Sequence, residues 1–237
     1  MAGKILITGG FGFVGGRLAA NLAQAGYSVL LASRKAMDPP IWLPQAKVTQ
    51  IVWNDTLSLE RICKGVDVIV QAAGINSQDC VANPVSALEF NGLATARLVA
   101  VASRSSVKRF IYLSTAHVYA SPLVGTITEE TCPLNLHPYA TSHLAGEHAV
   151  LAASQQGKIQ CIILRLSNAF GIPMHKDTNC WTLLVNELCR QAVQYKKLVL
   201  NSNGSQLRDF VPLSDVVEVV RSIVNPYQNQ MKILKNL

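Results

Sequence analysis

In the stretch HPYATSHLAGEH (137–148), Tyr139 and His143 stand four residues apart, which on a helix sets their side chains on one face. Both side chains can move a proton. A phenol with an ordinary pKa near 10 needs a neighbour that favours its charged form before it works near neutrality. An imidazole, near 6.5, can donate or accept there. The same spacing also decorates the polar side of ordinary surface helices. What the rest of the chain places beside the pair separates these readings.

A second stretch, ILITGGFGFVGG (5–16), holds Gly9, Gly12 and Gly15 directly after an apolar run and ahead of a helical pattern. A tight turn and a close backbone approach to phosphates both call for residues without Cβ. The N–H groups at the helix start, around Phe13 and Val14, and the positive end of the helix dipole suit a pyrophosphate. Strand, loop and helix in this order are the fingerprint of a dinucleotide site. An NAD site carries an Asp or Glu at the end of the second strand, to hold a ribose hydroxyl. Here Ser33, Arg34 and Lys35 stand there. Two cations and a hydroxyl suit a 2′-phosphate, so of NADP or NAD the residues favour NADP. A solvated basic loop is the alternative.

These residues need elements to hold them. Apolar runs at Lys4–Thr8, Ser28–Ala32, Val48–Val52, Asp67–Gln71, Phe110–Leu113 and Gln160–Leu166 read as strands. Helical patterns at Val14–Ala25, Leu57–Cys63, Pro84–Ser103 and Tyr139–Ser154 lie between them. A helix around Cys180–Val193, a short strand near Leu198–Leu200 and a helix from Ser214 to Val224 follow. Continuous apolar strands alternating with helices predict an α/β fold, a Rossmann-like doubly wound parallel sheet with right-handed crossovers.

The chain has 237 residues, 49% hydrophobic and only 15% charged, enough for a large core covered on both faces. Its six cysteines show neither CxxC spacing nor a metal-ligand rhythm with the histidines, so they read as buried thiols in a reducing compartment. No metal is expected. No signal segment is legible, and no apolar run approaches the roughly 18 residues that span a bilayer. A cytoplasmic protein with no membrane partner is the expectation. The net charge of +7 comes from scattered residues; Arg34-Lys35, Lys108-Arg109 and Lys196-Lys197 are the tightest groups. No nucleic-acid surface is expected from them, and attraction for anionic small molecules accounts for the charge.

With these pieces in place the chain resembles the extended short-chain dehydrogenase/reductases, in the NAD(P)-dependent nucleotide-sugar epimerase/dehydratase group, from Lys4 to about Val224. TGGFGFVG (8–15) matches T-G-G-x-G-F-x-G. NDTLSLE (54–60) resembles the segment whose acid, here Asp55 followed by Thr56, lies against adenine. VIVQAAG (68–74) resembles the strand and turn lining the cofactor, which implies contacts at Ala72, Ala73 and Gly74. FNGLATARLVAVAS (90–103) aligns Asn91 with a structural and catalytic asparagine, and FIYLSTAHVYA (110–120) puts Thr115 at a catalytic Ser/Thr position. ILRLSNAFG (163–171) and RDFVPLSDVV (208–217) resemble later motifs and nominate Asn168 and Arg208 as substrate-binding residues.

The family's P-Y-x-x-S-K-x-x-x-E is met by Pro138, Tyr139, Ser142 and Glu147, with His143 in place of the lysine. The resemblance implies Tyr139 as acid/base beside Thr115, with a hydride passing to or from the nicotinamide. It also implies cofactor contacts from Tyr139 and His143. A charged His143 helping the phenol implies activity that falls as His143 deprotonates. Dehydratases of the group carry an Asp-Glu pair after the Thr; Ala116 and His117 stand here, which disfavours dehydration. The implied function is epimerisation or keto-reduction of a nucleotide-activated sugar; the alternative is an inactive dinucleotide-binding relative acting as a sensor or subunit. Relatives continue for several dozen residues, so a Rossmann domain over 1–170 and a small, incomplete substrate lobe over 171–237, interleaved with it, are expected. So are an open substrate side, with apolar surface near the C-terminus, and a homodimer.

Overall fold

Six short apolar runs become six parallel strands: β1 (Lys4–Thr8), β2 (Ser28–Ser33), β3 (Lys47–Gln50), β4 (Val68–Gln71), β5 (Arg109–Thr115) and β6 (Gln160–Leu166), in a computed structural model that describes residues 3–225. They lie in the order β3-β2-β1-β4-β5-β6. This is the doubly wound arrangement, with its order reversing between β1 and β4. Side-chain alternation along β1 sends Leu6 to one face and Ile5 and Ile7 to the other.

Helices cover both faces. On one, Leu6, Ile69, Phe110 and Tyr112 pack against α2 (Thr56–Cys63), α5 (Thr95–Ala102) and α6 (Pro138–Gln155), through Leu59, Leu98 and Val150. On the other, Ile5, Ile7, Leu31 and Ile111 meet α1 (Phe13–Gln24) and α8 (Leu213–Val224), through Leu18, Leu22 and Val220. Each fully buried Leu or Ile contributes about 1.5–3 kcal/mol. Because α8 closes a face begun by α1, residues beyond 210 complete the core built by the first half of the chain.

The strands at Lys4–Thr8 and Gln160–Leu166 stand where the sequence predicts them, and the other boundaries move by one or two residues. Several differences matter. The helix predicted over Pro84–Ser103 is α4 (Pro84–Ala87), a π-helical stretch (Leu88–Ala94) and α5 in continuous succession. At 19 residues, Pro84–Ala102 is long and apolar enough to cross a membrane by length and composition, contrary to expectation, because the charges of Glu89 and Arg97 are diluted by alanine and valine. Half of it is buried in the protein, where its apolar side meets α2 and α6. Next, α3 (Ser77–Ala82) was not anticipated; it is six polar-leaning residues capped by Asn76.

Last, Leu198–Leu200 is irregular, not a strand: among the described residues no strand pairs with it, Val199 N–H donates to Gln191 Oε1 at 2.7 Å, and its three side chains are exposed. The predicted helix near 180–193 forms later, as α7 (Leu184–Tyr195). An unpredicted two-stranded parallel sheet instead joins β7 (Asn168–Phe170) to β8 (Phe210–Pro212), pairing Asn168 with Phe210. The exposed apolar side chains Val193, Tyr195, Leu198, Val199, Leu200 and Leu207 cluster in this part of the sequence, as expected. Residues 226–237 of the predicted lobe lie outside the described residues.

Candidate active site

In an all-parallel sheet the carboxyl ends of β1, β4 and β5 share one edge, and the crevice opens where the order reverses. At that edge Gly9 has φ of +65°, and a Cβ on it would lie 2.7 Å from Ala72 O. Only glycine fits. A Cβ on Gly15 would collide with Gly9 O, so that glycine seats the helix against the loop. Helix α1 starts from Gly12 with no capping side chain and no acid in its first turn. The N–H groups around Phe13 and Val14 therefore keep their positive end for an outside anion. These features fit a dinucleotide pyrophosphate.

Two side chains not singled out from sequence fix the floor. The Thr8 hydroxyl accepts from the N–H groups of Ala72 and Ala73, both at 3.2 Å, and donates to Gln71 Oε1 at 2.6 Å. Gln71 Nε2 then donates to the Thr95 hydroxyl at 3.2 Å. The turn through Gly74 is so tied to the glycine loop.

At the end of β2, Arg34 lays its guanidinium 5.6 Å above the Phe90 ring, which stands edge-on to Trp53 at 5.3 Å. The Ser33 hydroxyl accepts from Lys35 N–H at 3.2 Å. Asp55, expected against adenine, has work in the fold: one oxygen accepts from Leu57 N–H at 2.9 Å, capping α2 just ahead of Thr56, and the other lies 3.7 Å from Arg61. A cap in this position satisfies an otherwise unpaired helix N–H.

The proton-transfer residues come together between β5 and α6. Thr115 ends β5, buried, with its hydroxyl accepting from His117 N–H at 3.1 Å, and its side chain acts on the Tyr139 phenol in the first turn of α6. Burial pushes the Tyr139 phenol upward; the polar Thr115 side chain pulls the other way. His143 stands edge-on to Tyr139, ring centroids 4.7 Å apart, so the four-residue spacing does place the two rings together. Asn91, in the π-helical stretch, accepts from Ile75 N–H at 2.8 Å and donates to the Ser142 hydroxyl at 3.0 Å, joining the turn after β4 to α6. A π-bulge turns a side chain out of helical register, which is how Asn91 serves both neighbours. Cys80 of α3, which the sequence offered only as a buried thiol, borders Asn91 and Tyr139.

His143 departs from expectation in its charge. It is buried, and burial depresses its pKa to about 4. The imidazole is neutral near pH 7, so Tyr139 has no permanent charge beside it, and activity will not track deprotonation of His143 near neutrality. A stability effect follows instead. Between about pH 6.5 and 4 the unfolded chain binds a proton that the folded chain refuses, so stability falls as pH falls across that window. The slope contributed is at most about 1.4 kcal/mol per pH unit. Urea titrations from pH 7 down should show a shallower acid limb for His143→Gln than for the parent; identical limbs would contradict the assignment.

Beyond Thr115, the β7–β8 sheet brings the predicted substrate residues to one place. His117 lies where the Asn168 side chain and the Arg208 guanidinium act on it. Burial, with a smaller push from Arg208, lowers its pKa, against the pull of Asn168. Asn168 Nδ2 also donates to Asp209 O at 2.8 Å, while Arg208 is exposed and touches Gln206 at 2.8 Å. Ala116 offers no acid group.

A sequence profile of the NAD dependent epimerase/dehydratase family matches residues 5–233. The chain is 32% identical to a dTDP-6-deoxy-L-talose 4-dehydrogenase (NAD(P)(+)) of Kitasatospora kifunensis, over 92% of this chain and 68% of that protein. It is 29% identical to an uncharacterized UDP-glucose epimerase of Bacillus subtilis (strain 168), over 93% of this chain and 72% of that protein. Among solved structures, MoeE5 in complex with UDP-glucose and NAD superposes with a TM-score of 0.77, at 25% identity, over 96% of this chain and 73% of the other.

Proposed function

The chain belongs to the NAD dependent epimerase/dehydratase family, and from that premise we propose that it is an enzyme acting on a nucleotide-activated sugar by epimerisation or keto-reduction. The observation that carries this is the grouping of Thr115 at the end of β5 with Tyr139 and His143 of α6 at the carboxyl edge of the sheet that also holds the glycine loop. MoeE5, the solved relative bound to NAD and UDP-glucose, supports both ligand classes.

Gly9, Gly12, Phe13, Val14 and Gly15 would hold the pyrophosphate, and Ala72, Ala73 and Gly74 would line the wall. When bound, the nicotinamide would supply a hydride acceptor or donor. Tyr139 gives a proton to, or takes one from, a sugar oxygen, and Thr115 donates a hydrogen bond to the same oxygen. Asn91 steadies the turn beside them and the first turns of α6. Arg208, free to swing toward solvent, suits a sugar-nucleotide diphosphate, and Asn168 the sugar. Dehydration needs an acid and a base on neighbouring carbons, and Ala116 removes one of the two positions. The substrate-side group of His117, Asn168 and Arg208 favours an enzyme over a sensor that needs only the dinucleotide.

Arg34 supports NADP over NAD. Arg34→Ala is expected to weaken NADP about tenfold and NAD little, the difference expected for one charge-assisted contact to a phosphate. Calorimetric titration with both dinucleotides checks this; equal losses would remove the 2′-phosphate argument. The function itself is tested by product analysis of the protein loaded with NAD(P) and given UDP- and dTDP-sugars, and of the protein loaded with NAD(P)H and given the corresponding keto-sugars. New epimers are expected from the first or reduced sugars from the second, and no conversion of any sugar in either would count against an enzyme.

A further inference from the structure

His143 has a partner behind it that the proposed reaction does not use. Tyr112, on β5, is 1% exposed, and its hydroxyl lies 3.0 Å from His143 Nδ1, the rings stacked with centroids 5.9 Å apart. A phenol has one proton to donate. Of the two acceptors that bond this hydroxyl, Asn91 O is at 3.4 Å, long for an O–H donor, while 3.0 Å to a ring nitrogen is ordinary; the Thr95 side chain also acts on the phenol. The space is closed around this hydroxyl: a Cβ on Gly146 would lie 2.7 Å from it. Burial holds the Tyr112 phenol well above its usual range, so it stays protonated, and the neutral imidazole has one nitrogen free to accept.

If Nδ1 accepts, the ring proton sits on Nε2. That nitrogen has no hydrogen-bond partner among the described residues. A Cβ on Gly74 would stand 3.8 Å from it, which places it against the turn that lines the dinucleotide site. The titratable groups facing the ring are Tyr112 on β5, Tyr139 on its own helix and Cys80 beside Tyr139. Glu147 lies further along α6, paired with Arg165.

We propose that Tyr112 is a positioning residue that locks His143 in the Nε2–H tautomer, so that a neutral imidazole presents one N–H donor to a ribose hydroxyl of the bound dinucleotide. It rests on the dinucleotide reading above. His143 then keeps the hydrogen bond that a lysine would make and gives up the charge.

The test is histidine-ring nitrogen NMR on the free protein, followed by NAD and NADP titration of the same samples. In the parent, His143 should show a single neutral tautomer protonated on Nε2 between about pH 6 and 8. In Tyr112→Phe the two tautomers should mix, and dinucleotide affinity should fall about three- to tenfold, the loss of one hydrogen bond's positioning. A parent protonated on Nδ1, or a Tyr112→Phe protein with unchanged tautomer and affinity, would overturn the lock while leaving the dinucleotide reading intact. Failure of both NAD and NADP to bind the parent would overturn the dinucleotide reading and the ligand half of this proposal together. Should Tyr112→Phe not fold, the tautomer of the unsubstituted protein still decides.

Discussion

Tyr139→Phe is expected to lower turnover about a thousandfold and to leave dinucleotide affinity within about twofold. The phenol is the proton carrier that the first turn of α6 sets against Thr115 at the sheet edge. Phenylalanine keeps the ring and its edge-on packing with His143, so the fold and the glycine loop have no reason to change. What disappears is the O–H that meets the sugar oxygen. Thr115→Ala should cost less, because the acid/base remains and only a hydrogen bond to the reacting oxygen is lost. Steady-state kinetics beside a NAD titration separates the outcomes. Turnover that survives Tyr139→Phe would move the proton transfer to another residue, with His117 the next in line.

The second large effect is on stability. Glu147 is wholly buried and binds the Arg165 guanidinium at 3.0 and 2.6 Å while accepting from the Ser114 hydroxyl. Arg165 also donates to the Tyr119 hydroxyl at 2.6 Å and stacks 4.6 Å over its ring. These contacts tie α6 to β5 and β6, so they hold the helix that carries Tyr139 and His143. Breaking one side of a buried pair typically costs 3–5 kcal/mol, since the surviving charge is stranded. Arg165 keeps a side-chain exposure of 21%, so water relieves part of that. Glu147→Ala is therefore expected to destabilise by about 3 kcal/mol and Glu147→Gln, which can still accept, by about 1–2 kcal/mol. Urea unfolding midpoints read both; a loss below about 1 kcal/mol for Glu147→Ala would show that the network is not holding α6.

The strands were legible because parallel strands buried on both faces are written as apolar runs, as at Lys4–Thr8 and Val68–Gln71. The glycine loop was legible because positive φ and a missing Cβ leave a mark on residue type. The β7–β8 sheet was not, since its pairing joins Asn168 to Phe210 across a long stretch of chain and no local period records it. Leu198–Leu200 shows the converse: strand composition without a partner edge stays irregular. In the site, Tyr139, Thr115 and Asn91 could be nominated from motifs. Tyr112 could not, because within FIYLST it reads as one more core residue, and only the fold reveals that its hydroxyl meets His143. The charge of His143 was likewise a property of burial, which residue type alone does not carry.

The most direct measurement mixes protein loaded with NAD or NADP with UDP- and dTDP-sugars and follows both the absorbance of reduced nicotinamide and the sugar products. Oxidation of a sugar hydroxyl through Tyr139 predicts a nicotinamide signal or a new epimer in the parent with at least one sugar, and neither in Tyr139→Phe carrying the same amount of dinucleotide. A loaded parent that gives neither with any sugar, or a Tyr139→Phe protein that matches the parent, would contradict the account.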